Sequence, residues 1–127
     1  ESTFLGLTIP KNNSIMMQSL SGSKLGIWVA HGEGRFYLPE SEDHYNVVAK
    51  YNYAEYPGNP NGSDYNVAAI CSEDGRHLAM MPHPERAIFP WQNAYYPLNR
   101  KQDEVSPWIE AFVNARKWIE EKTRTEE

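Results

Sequence analysis

The run Met80-Met81-Pro82-His83-Pro84-Glu85-Arg86 fences a histidine between two prolines and sets a carboxylate two residues beyond it. Each proline pushes the residue before it toward extended geometry, which excludes helix here and puts His83 and Glu85 on the same side of the chain. Two strand rises of roughly 3.3 Å place their α-carbons about 6–7 Å apart, close enough for carboxylate and imidazole to meet. In such a dyad the acid fixes the imidazole tautomer and favours the imidazolium, so the second ring nitrogen can take a proton from a nucleophile. A surface histidine at a strand end beside a solvated glutamate fits the same residues. On geometry alone, with no nucleophile in reach, that plainer reading stands slightly ahead.

Cys71 is the one cysteine. Asp74-Gly75 is a strong hairpin signal and sets Cys71 opposite Leu78, five residues along the strand from His83. That is a gap of about 16 Å, far beyond hydrogen-bond reach, so Cys71 reads as a small buried hydrophobe and not as the nucleophile. The second feature is Ala30-His31-Gly32-Glu33-Gly34-Arg35, a glycine turn at a strand end whose backbone N–H groups a ligand can approach closely. A plain turn with a charged rim explains it equally well. His31, His44, His77 and His83 show no metal-ligand spacing. The aromatic group Trp91, Tyr95, Tyr96, Tyr51, Tyr53 and Tyr56 fits a binding face or a domain interface alike.

The elements that must position these residues are short. Strands are predicted at Phe4–Leu7, Ile15–Met17, Leu25–Ala30, Val47–Tyr51, Val67–Ile70 and Leu78–Met81, the last two forming the Asp74-Gly75 hairpin with Glu73 facing Arg76 as an ion pair. Ser106 as N-cap and Pro107 at the first helical position open a helix whose stripe is Trp108, Ala111, Phe112, Ala115 and Ile119. That stripe should pack on a sheet. Residues 1–122 read as one incomplete domain and Thr123–Glu127 as a fraying tail. Tyr53–Tyr65 and Ala87–Pro107 are long polar stretches of the kind that form lids or contacts.

With 127 residues, a net charge of −5 and 40% hydrophobic residues, the chain fits at most one domain with a core. The acidic balance without a Lys/Arg cluster argues against nucleic acid. No apolar run approaches the roughly 20 residues of a membrane-spanning helix, so no membrane partner is expected. One cysteine excludes a disulfide framework and suits a reducing compartment, so a cytoplasmic location is expected. Two matches to the glycosylation acceptor pattern, at Asn12 and Asn61, are read as chance. The start at Glu1, running straight into Phe4–Ile9, reads as part of something longer.

Three motifs in order, HGEGR at His31–Arg35, NPNGS at Asn59–Ser63 and MMPHPER at Met80–Arg86, together with PWIEAFVNARKW at Pro107–Trp118, resemble the carboxy-terminal part of the class I glutamine amidotransferase domain of the phosphoribosylformylglycinamidine synthase family. The resemblance covers Ser21 to Trp118. It implies an α/β fold, the C-terminal portion of a flavodoxin-like domain with a mixed sheet and a C-terminal helix. It also implies a cysteine–histidine–glutamate triad whose His and Glu fall on His83 and Glu85, while Gly32 and Glu33 fall on the strand end that contacts glutamine. The nucleophile's Gly-x-Cys-x-Gly motif is absent from these residues, so the piece is expected to be inactive alone. In the full-length family enzyme, an ATP-dependent ligase of purine synthesis, ammonia from glutamine passes to a synthetase portion that uses ATP and magnesium. No cofactor is expected in this fragment. Its expected partners are glutamine, the missing amino-terminal amidotransferase segment and the synthetase segments. An unpaired sheet edge and an uncovered apolar face predict self-association of the fragment. The rival reading is a non-catalytic β-rich binding module with Tyr/Trp-lined loops, and a regulatory relative with a degenerate site is a third.

Overall fold

A computed structural model describes residues 2–30, 36–52, 63–100 and 102–126. Five strands, β1 (Ser2–Thr8), β2 (Lys24–Ala30), β3 (Asn46–Tyr51), β4 (Val67–Cys71) and β5 (Leu78–Met80), form one sheet in the order β2-β1-β3-β4-β5. The helix α1 spans Ile109–Glu126. Every described pairing is antiparallel. This corrects the expected mixed sheet: a parallel pair needs a long crossover, usually helical, and the described stretches between strands hold only single 3-10 turns.

β1 and β2 pair along their whole length, from Ser2 with Ala30 to Thr8 with Lys24. Register slips beside Val48 twist the β3–β4 pair. The chain after β5 then carries the curl of the sheet around: Met81 N–H donates to Ala68 O, and His83 N–H donates to Trp28 O on the opposite outer strand. The core sits inside this curl, with Leu7, Ile27, Val29, Val48, Ala68 and Trp108 fully buried. β4 is buried along Val67, Ala68 and Ala69, as a continuous apolar run in a strand covered on both faces predicts.

The hairpin register is as expected, Cys71 opposite Leu78. Its turn is wider: Ser72 N–H bonds His77 O and Gly75 N–H bonds Ser72 O, so Arg76 meets Asp74 at 3.9 Å instead of Glu73. Asn13 clasps this turn, its amide donating to Glu73 O, while Ile15 N–H donates to Gly75 O. Gly75 has φ +74°, and a β-carbon there would drive into the Asn13 carbonyl. Gly22, at φ +87°, has open space around it. Gly75→Ala is therefore expected to lower stability by about 2–4 kcal/mol, the sum of left-handed strain and overpacking, whereas Gly22→Ala costs only about 1 kcal/mol for the strain. Urea unfolding of the two variants side by side checks this, and equal losses would refute the clasp.

The expected strand Ile15–Met17 is a turn instead. Ser14 N–H bonds Asn12 Oδ1 and Met17 N–H bonds Ser14 Oγ, so two side chains cap the backbone and start the 3-10 turn Gln18–Leu20. The helix also departs from expectation at its start. Ser106 is buried and its hydroxyl donates to Ala87 O, so it ties the loop to the helix and does not cap the helix N–H groups. The chain through Pro107 and Trp108 is a tight turn, and the apolar stripe is buried only at Trp108 and Ala111; Phe112 and Ile119 are exposed. Trp118 lies between Arg76 and Lys122, at 5.0 and 5.4 Å, which links α1 to the hairpin.

Candidate active site

The His83 imidazole and the Glu85 carboxylate meet, Nδ1 to Oε1 at 2.9 Å. The two side chains do meet, but the expected cause is corrected: the prolines predict an extended segment with helix excluded, and Glu85 instead sits in a 3-10 turn. His83 is extended (φ −117°, ψ 89°), after which Pro84–Arg86 close one 3-10 turn through Arg86 N–H to His83 O and Ala87 N–H to Pro84 O. Proline at the first turn position suits this because it has no N–H to satisfy. The turn folds Glu85 back onto the ring it follows. The imidazole is 29% exposed and the carboxylate 50%, so the dyad lies at the surface with the ring the more sheltered partner.

Local sequence makes the dyad, and distant sequence holds it. The His83 N–H to Trp28 O bond fixes the turn to β2 two residues before Ala30, where the glycine motif begins. The dyad's turn is thus hung near the end of β2, at Trp28. His31–Arg35, including Gly32 and Glu33, lie outside the described residues, as do Asn59–Gly62. Ser63, which ends the NPNGS motif, is buried, and its Oγ accepts from Phe36 N–H.

Cys71 is removed from the dyad. It closes β4 at the hairpin end, and its Sγ donates to Asn13 Oδ1 at 3.3 Å. It is half-buried against the core edge, less enclosed than a core hydrophobe. Burial, and then the nearby Asp74 carboxylate, push its thiol above the ordinary range, which is the reverse of what an attacking thiolate needs. Among the described residues no group of three His, Cys, Asp or Glu side chains is placed to hold a metal ion, and no helix is long and apolar enough to cross a membrane.

The aromatic residues do not gather into one face. Tyr51 belongs to the core, Tyr96 is half-buried with its hydroxyl on Asp103, and Tyr53 and Tyr56 lie outside the described residues. Desolvation and then the bond to Asp103 raise the Tyr96 hydroxyl above its ordinary value. Trp91 and Tyr95 are largely exposed, with Trp91 stacked on Phe89 at 5.8 Å. Two contributors escaped the sequence reading. Trp28 looked like one more apolar strand residue, and Trp108 like the first member of a helical stripe; each also donates an indole N–H across the fold, to Gln92 O at 2.5 Å and Gly26 O at 2.8 Å.

A probable phosphoribosylformylglycinamidine synthase of Arabidopsis thaliana is 46% identical over 134 residues, which span 94% of this chain and 10% of that protein. Phosphoribosylformylglycinamidine synthase of Homo sapiens is 42% identical over 130 residues, 93% of this chain and 10% of the relative. The chain spans about a tenth of the length of these curated relatives. Among solved structures, that of PurLQS from Thermotoga maritima superposes with a TM-score of 0.67 at 25% identity, covering 94% of this chain and 48% of that one. Residues 1–119 match the CobB/CobQ-like glutamine amidotransferase domain, and the chain belongs to that family.

Proposed function

We propose that this chain is the carboxy-terminal portion of the glutaminase domain of a phosphoribosylformylglycinamidine synthase, supplying two of the three groups that release ammonia from glutamine. The observation that carries the reading is the 2.9 Å His83–Glu85 contact in a chain of an amidotransferase family. Residues 1–122 are then part of a flavodoxin-like class I domain followed by the tail 123–127. The domain's nucleophilic cysteine comes from a segment outside this chain.

The chemistry follows from the dyad. A thiolate adds to the glutamine carboxamide carbon, and the imidazole of His83 delivers the proton that lets ammonia leave, giving a glutamyl thioester. His83 then takes a proton from water as it cleaves the thioester, which releases glutamate and returns the thiol. Glu85 holds Nδ1–H throughout, so that Nε2 is the nitrogen presented to the reacting atoms. Gly32 and Glu33, which follow β2 in the sequence, bind the glutamine substrate. The ammonia is consumed by the synthetase portion, where ATP and magnesium act on formylglycinamide ribonucleotide. A reducing, cytoplasmic compartment suits a thiolate enzyme of this kind.

Full-length enzyme carrying Cys71→Ala tests the reading. It is expected to release glutamate from glutamine at the parent rate, since Cys71 sits at the far end of the hairpin with its thiol held protonated. Loss of glutamine turnover in this variant, or turnover by residues 1–127 alone at the rate of the whole enzyme, would overturn the proposal.

A further inference from the structure

We infer that Trp28 is a positioning residue for the His83–Glu85 dyad, an inference that rests on the glutaminase reading above. A single residue of β2 grips both ends of the segment that carries the dyad. Its carbonyl accepts from His83 N–H at 2.9 Å, and its indole N–H donates to Gln92 O at 2.5 Å, nine residues later. Between these points lie the turn Pro84–Arg86, which folds Glu85 onto the ring, and the turn Pro90–Gln92.

The second turn is built to transmit the grip. Gln92 Oε1 accepts from Phe89 N–H, while the Asn93 amide donates to Phe89 O at 2.9 Å and to Ala87 O at 3.4 Å. The Ser106 hydroxyl also donates to Ala87 O. Ala87 is the residue that closes the dyad's own turn, so the indole bond reaches Glu85 through the Gln92 and Asn93 side chains and a short run of backbone.

The indole is itself held in place. The Phe4 ring meets it edge-on, 5.1 Å between centroids at 67°, and Phe4 occupies the space above Gly26, where a β-carbon would lie 2.5 Å from the ring. Trp108 fixes that same Gly26 through its carbonyl. The Glu85 side chain is half exposed, so the turn has a large share in holding it on the ring. Loosening the turn lets the carboxylate leave Nδ1 without changing how glutamine binds, so the loss falls on kcat and not on KM.

Trp28→Phe in the full-length enzyme keeps the ring against Phe4 and removes the donor. We expect kcat for glutamate release to fall about tenfold with KM for glutamine unchanged, and synthesis from added ammonia to stay at the parent rate. Replacing Trp28 with β-(3-benzothienyl)alanine removes only the N–H from an isosteric ring and should give most of the same loss, so a poorly folding phenylalanine variant does not leave the question open. Tyr95→Ala, on the same loop and exposed, should leave kcat unchanged. An isosteric variant with parent kcat would overturn the inference, and so would glutamine- and ammonia-dependent rates that fall together. Failure of the glutaminase reading looks different: His83→Ala would then keep full glutamine turnover.

Discussion

His83→Ala in the full-length enzyme is expected to lower glutamine-dependent turnover by about 10²–10⁴-fold, the usual contribution of a positioned general acid–base, while synthesis from added ammonia continues at the parent rate. The split follows from the proposed glutaminase role, in which this histidine serves only the release of ammonia. Glu85→Gln should cost less, about 10–100-fold, well below the roughly 10⁴-fold that follows loss of the buried aspartate in a serine protease triad. The difference is burial. The Glu85 side chain is half exposed, so water can take its place on Nδ1, whereas nothing replaces the imidazole. Glutamate release and ammonia-dependent synthesis, measured on the same preparations, decide the matter. A His83→Ala enzyme within tenfold of the parent on glutamine would remove the dyad from the chemistry.

The dyad was legible because it is local. Extended geometry at the prolines predicts that two side chains two residues apart are neighbours, and they do meet, but through the 3-10 turn Pro84–Arg86 that the same reading excludes. The hairpin was legible for the same reason: Asp74-Gly75 fixes the Cys71–Leu78 register, and that register removed Cys71 from the site. Ile15–Met17 misled because three apolar residues fit either a strand or a turn. The deciding groups were the side chains of Asn12 and Ser14, which compete with the ladder for backbone partners. The helix was found by its period, yet its stripe at Phe112 and Ile119 stays exposed. Periodicity reports a face, and what covers that face is decided by segments far away in sequence. The same limit hid Trp28, whose partners His83 and Gln92 are more than fifty residues distant. The parallel strands implied by the family resemblance are likewise absent from the described residues, whose strands all pair antiparallel and whose described connections carry 3-10 turns in place of crossover helices.

Trp108→Ala should unfold the chain more surely than any other single truncation. The side chain is 1% exposed at the junction of α1 with the curled sheet, and among the described residues it is the largest that is fully buried. Removing a buried tryptophan costs about 3–5 kcal/mol in transfer and cavity terms. The Gly26 carbonyl, which accepts the indole N–H at 2.8 Å, would lose its partner for about 1–3 kcal/mol more wherever water cannot enter. Against a typical domain stability of about 5–15 kcal/mol, that loss consumes most of the margin. Trp108→Phe separates the two terms, since it keeps most of the volume and forfeits the donor; a loss of about 1–3 kcal/mol is expected. Ile119→Ala, at a side chain 58% exposed on the helix that follows Trp108, should stay within about 0.5 kcal/mol. Urea unfolding of the three variants in the full-length protein, followed by fluorescence of the remaining tryptophans, gives the order. A loss below about 1 kcal/mol for Trp108→Ala would mean that α1 does not anchor the sheet, for so small a cost belongs to surface positions. The effect should also reach the site: Gly26 stands two residues before Trp28 on β2, so a loosened Trp108 frees the strand end on which His83 is hung.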